Sequence, residues 1–167
     1  MRRARTVVKD LKDISGADRW APREYAAVTS GLQAAEKELS AQTARWSMNR
    51  DYARASIMFS SLLQEAEIAR KAAEGGRKSA AREAKESLDA LVSAIEHARA
   101  AMRVVPMADG GGAARRIGAD VDGAIDESEA IQNLIAAGDF SEASKRGRES
   151  LDHLNATLRS LARSSRR

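Results

Sequence analysis

Apolar side chains recur along this chain at three- and four-residue steps. Val7, Val8, Leu11 and Ile14 fall on one side of a helix over about residues 4–15, which Gly16 ends. Asp18-Arg19-Trp20-Ala21-Pro22 is the next start signal, because proline suits the first helical turn. Tyr25, Val28, Leu32, Ala35, Leu39 and Trp46 then mark a helix over about 22–47. Ser47-Met48-Asn49-Arg50 reads as a turn, with Asn49 suited to a left-handed conformation.

The next stripe is the longest. Tyr52, Ala55, Phe59, Leu62, Ala66, Ala69 and Ala73 lead through Gly75-Gly76 to Ala80, Ala84, Leu88, Leu91, Ile95, Ala98 and Met102. Helix-favouring residues flank the glycine pair and no proline marks a loop, so a helix over about 51–104, continuous or kinked at 75–76, is expected. Its length would be roughly 80 Å at 1.5 Å per residue. Pro106 and Asp109-Gly110-Gly111-Gly112 form the strongest break in the chain. Two further stripes give helices over about 113–137 (Ile117, Val121, Ala124, Ser128, Ile131, Ile135) and 140–163 (Phe140, Ala143, Gly147, Leu151, Leu154, Leu158, Leu161), with Gly138 between them.

A turn motif occurs twice. Asp51-Tyr52-Ala53-Arg54-Ala55 returns as Asp139-Phe140-Ser141-Glu142-Ala143. In each, an aspartate can cap free amides while the ring and the alanine face the preceding helix. Short connections make neighbouring helices antiparallel. The expected fold is all-α: an elongated antiparallel bundle of two three-helix packets, residues 1–76 and 77–167, sharing the long helix.

Composition agrees and adds a constraint. Alanine occupies 34 of 167 positions and aromatics only 4%. Helix propensity is therefore high, but an alanine methyl buries little area, so the core is thin. No cysteine is present, which excludes disulfides, thiolate metal sites and cysteine nucleophiles. Charge is uneven: residues 1–20 hold six basic and three acidic side chains, 138–167 seven and four, and 106–137 two and six. No apolar run reaches membrane-spanning length. Met1-Arg2-Arg3-Ala4-Arg5 looks like the start of an export signal but no apolar stretch follows, so an exported protein would have lost its signal from this chain.

Gly16-Ala17-Asp18-Arg19-Trp20-Ala21-Pro22-Arg23-Glu24-Tyr25, then Leu32, Ala35 and Leu39, Asp51-Tyr52-Ala53-Arg54-Ala55 and the alanines at 66, 69, 72 and 73 form a longer pattern. Over about residues 7–87 it resembles a bacterial cell-envelope family known only as a domain of unknown function. The resemblance implies an exported helical protein, often a lipoprotein and in some members beside a peptidoglycan-binding module. It supplies no catalytic residues. The Asp-aromatic-x-x-Ala turns also look like those of tetratricopeptide hairpins, but the two copies lie 88 residues apart, against a repeat of about 34.

Candidate chemistry is sparse. His97 and His153 are the conventional acid–base groups, each beside acidic neighbours, but no metal-ligand spacing surrounds them, and surface histidines are the simpler reading. The carboxylates at 120, 122, 126, 127 and 129 read as a solvated face, paired with Arg115, Arg116, Lys145, Arg146 or Arg148. Trp20, Tyr25, Trp46, Tyr52 and Phe59 thicken the first packet. Trp20 and Trp46 lie near helix ends, where an indole can be half exposed and meet a partner. The terminal arginines Arg2, Arg3, Arg5, Arg163, Arg166 and Arg167 could touch an anionic partner, or fray in solvent.

The sequence thus points to a non-enzymatic helical scaffold of the bacterial envelope or periplasm. It would take a protein or cell-wall partner, with Trp20, Trp46, Arg163, Arg166 and Arg167 as contact candidates. No catalytic residue, cofactor or metal is expected, and self-association is open. The alternative is a cytoplasmic anion- or nucleic-acid-associated protein using its basic ends.

Overall fold

The computed structural model describes residues 2–45, 51–104 and 112–164, apart from the side chains at 104, 112–114, 116 and 161–164. Described residues form six helices and no strand: α1 Arg2–Asp13, α2 Ala17–Trp20, α3 Pro22–Ala44, α4 Ala53–Val104, α5 Gly112–Ala136 and α6 Phe140–Ser164. The fold is an all-α helical bundle.

Two features at the N-terminal end differ from the sequence expectation. α1 starts at Arg2, because Ala4, Val8 and Leu11 form its buried row, and Ile14 lies past its end at 77% exposure. The segment before Pro22 is a separate single-turn helix. Gly16 opens it in the left-handed region at φ 60°, and its carbonyl accepts from the amides of Arg19 and Trp20. Pro22 then occupies the first turn of α3.

The helix ends follow local chemistry. Asp51 Oδ1 accepts from the Ala53 amide at 2.8 Å, which starts α4 two residues later than the stripe suggests. Gly138, at φ 80°, ends α5: its amide donates to the Ile135 carbonyl and that of Asp139 to the Leu134 carbonyl. This pair of hydrogen bonds is the Schellman arrangement, and glycine fills its left-handed position without strain. Trp46 and the turn at Ser47–Arg50 lie outside the described residues, as do Pro106 and Asp109-Gly110-Gly111.

The chain divides into two compact units, Met1–Lys78 and Ser79–Arg167, and α4 contributes to both. In the first, Ala4, Val8 and Leu11 of α1, Ala17 of α2, Val28 of α3, and Leu62, Ala66, Ala69 and Ala73 of α4 make the core. In the second, Ala84, Leu91, Ile95 and Ala98 of α4 meet Ile117, Val121, Ala124 and Ile131 of α5, and Ala143 and Leu154 of α6. Alanine-rich cores bring backbones close. A Cβ on Gly147 of α6 would lie 2.8 Å from Ser87 Oγ on α4, and one on Gly31 of α3 3.2 Å from Leu62 Cδ1.

α4 runs through Gly75 and Gly76 without interruption. The two glycines have opposite surroundings. Gly75 has open space, whereas a Cβ on Gly76 would meet the Trp20 carbonyl oxygen well inside 3.0 Å.

Candidate interaction surface

Each described site candidate can now be placed. Trp20 is half-buried against the core of the first unit, its ring over Gly16 and under the Arg19 guanidinium, 4.7 Å from the ring centre. Structural packing thus takes up much of this indole. Trp46, Arg166 and Arg167 lie outside the described residues; Arg163 sits within α6, with its side chain outside them. Both histidines are exposed. His153 Nε2 lies 3.6 Å from Asp120 Oδ1, and Asp120 also accepts from Thr157 at 2.8 Å.

The acidic side of α5 is partly paired. Arg146 makes a two-pronged contact with Glu127, Nη2 to Oε2 at 2.7 Å, and this hydrogen bond raises the guanidinium's affinity for its proton. Arg148 does not join it: the side chain reaches Glu83 on α4 at 3.1 Å. Among the described residues, no group of three His, Cys, Asp or Glu side chains could hold a metal ion. In the open cleft beside Arg146, the carboxylates of Asp120, Glu127 and Glu149 face one arginine and His153.

The first unit offers a different surface. From Tyr52, just before α4, a row continues along the helix through Ser56, Phe59, Leu63, Ala66 and Arg70 at alternating steps of four and three. This second row runs beside the core row of Ala55, Phe59, Leu62, Ala66, Ala69 and Ala73 and shares Phe59 and Ala66 with it. It lines two open grooves that meet at Leu63. One, of about 400 Å³, lies against Leu39 of α3 and includes Tyr52 and Phe59. The other, of about 370 Å³, lies against α1 and includes Val7, Leu11 and Ile14 with Leu63 and Ala66. Tyr52 is exposed rather than turned into the preceding helix.

The charges around the α1 groove are ordered. Arg5 on the far side of α1 bonds Glu36 of α3 at 2.6 Å. Arg70 bonds both Glu67, at 2.7 Å, and Glu74, at 3.0 Å, and the Glu67 carboxyl is thereby held below the usual carboxylate range. Arg3 and Asp10 also line this groove, and among the described residues neither has an ion-pair partner.

Sequence reading missed several of these groups. Ile57 and Ile68 are 67% and 62% exposed, eleven residues or about three turns apart, on the side of α4 away from its core row. Two isoleucines at that spacing within a polar face were the available signal. Gln42 is buried: its amide donates to Glu38, and its oxygen accepts from the Asp51 amide across the α3–α4 connection. It falls on the period of the apolar stripe, three residues after Leu39 and four before Trp46, which was the available signal. No helix of the described residues is long and apolar enough to cross a membrane. No family model, curated protein or solved structure matches the chain.

Proposed function

We propose that this protein is a non-enzymatic helical scaffold of the bacterial cell envelope that works through protein contacts. The observation that carries the reading is the second row on α4, where Tyr52, Phe59 and Leu63 line an open apolar groove instead of a closed core. A helix with one seam packed inward and another left open is suited to receive a partner helix, because a three-four row is the geometry that interlocks side chains between helices. Tyrosine suits such a role, since a ring brings contact area at low entropic cost and its hydroxyl tolerates water. The envelope assignment draws on the likeness of residues 7–87 to an envelope family.

The test is capture from bacterial envelope extracts on the immobilised protein, with Tyr52→Ser alongside. This substitution removes an exposed ring and leaves the core intact. Recovery of a specific protein that Tyr52→Ser loses supports the reading. Recovery of no protein, or of the same proteins by both, counts against it.

A further inference from the structure

We propose that a second copy of this chain covers the α1 groove, so that two α1 helices cross antiparallel about a two-fold axis near Val7. The α1 groove adjoins the partner groove at Tyr52 through Leu63, but the inference rests on different residues and either can fail alone.

Self-complementarity selects this occupant. Arg3, Val7, Asp10 and Ile14 form one row on the flank of α1, at steps of four, three and four. The row alternates charged and apolar positions with a period of seven: Arg3 and Asp10 are the charges, Val7 and Ile14 the apolar groups. The opposite flank is committed, since Arg5 bonds Glu36, and the inward row of Ala4, Val8 and Leu11 is in the core. Arg2, Thr6, Lys9 and Asp13 are exposed as well but do not line the groove; the Arg3 row, with Val7 half-buried at its centre, is the one that borders it beside α4.

A two-fold interface requires that if one residue meets another, the second also meets the first. Antiparallel crossing about Val7 meets that condition. It sets Arg3 of each protomer against Asp10 of its partner, giving two ion pairs, and brings the two Val7 side chains together at the axis. A parallel arrangement would instead oppose Arg3 to Arg3 and Asp10 to Asp10. The same crossing extends apolar cover to Leu63 and Ala66 on α4. On α4, Arg70 is already satisfied by Glu67 and Glu74, so the unpaired charges of the groove are the two that the partner copy neutralises.

The experiment is sedimentation equilibrium of the full chain, with charge reversals at both positions. The chain should dimerise, and Arg3→Glu or Asp10→Arg alone should raise the dimer Kd about tenfold or more, because symmetry turns each single change into two like-charge contacts. The double variant Arg3→Glu/Asp10→Arg should return the Kd to within about threefold of the original. A chain that stays monomeric at hundreds of micromolar overturns the proposal, as does a dimer that either single reversal leaves unchanged. A second readout needs no equilibrium. The chain has no cysteine, so Val7→Cys should form a disulfide-linked dimer on mild oxidation, since a residue at the axis meets its own copy at bonding distance. Ser30→Cys, exposed on α3, should not. Equal crosslinking of the two variants overturns the proposal.

Discussion

At the residue scale, adjacent glycines separate two effects that composition merges. Gly75→Ala adds a methyl in open space on a helix and should stabilise the protein by about 0.5–1 kcal/mol. Gly76→Ala adds the same methyl against the Trp20 carbonyl, where backbone must move, and should destabilise by about 1–3 kcal/mol. Urea unfolding of the two variants checks this, and shifts of the same sign would show that the α2–α4 approach is not tight. A second test concerns Ser144 on α6, 7% exposed with no hydrogen-bond partner for its hydroxyl. Ser144→Ala removes a buried, unsatisfied polar atom and should stabilise by about 1 kcal/mol. A loss of stability would mean that the hydroxyl has a partner in solution.

At the scale of elements, the surface of α4 is tied by charges three and four residues apart. The Arg70 bond holds the Glu67 carboxyl below its ordinary range, so folding favours the deprotonated form. The resulting stability is present above the ordinary carboxylate value and is lost as pH falls through the lowered one. Arg70→Gln should therefore lower Tm slightly at neutral pH and leave it unchanged near pH 2, at low salt. A difference that persists in acid would assign the effect to the arginine's stem rather than its charge. The helices themselves were largely legible beforehand. The stripes at 117–135 and 140–158 place their residues inward as read, because α4, α5 and α6 bury those rows in a common core. The errors fall where an element stops: Ile14 and Tyr52 fit the apolar period but lie outside α1 and α4, beyond the packed length.

At the scale of the whole molecule, the two units share one helix but not one charge. Residues 1–78 carry fifteen basic and ten acidic side chains, net +5, and residues 79–167 thirteen and fourteen, net −1. The basic excess of the chain therefore belongs to the unit whose grooves are apolar. Because α4 is continuous across the boundary, unfolding either half leaves the other with an unsupported helix end, which costs helix stability. Leu62→Ala in one core and Leu91→Ala in the other, both side chains at 2% exposure or less, should each cost about 2–5 kcal/mol. Each should also lower the midpoint recorded in both units by amide exchange. An effect confined to the mutated half would show that the shared helix transmits nothing.

Periodicity alone determined the helical class and most of the buried positions, because alternation of apolar and polar side chains at 3.6 residues is a property of order along the chain; that α4 passes Gly75-Gly76 unbroken was decided by the structure. Periodicity could not separate Gly75 from Gly76, name the partners of Gln42, or tell that Arg148 reaches Glu83 while Arg146 holds Glu127. Those depend on which backbone passes beside which. Tertiary structure also decided that α4 carries a second row open to the surface: the buried seam was legible as an apolar stripe, but only the placement of α1 and α3 left grooves over the row that shares Phe59 and Ala66 with it.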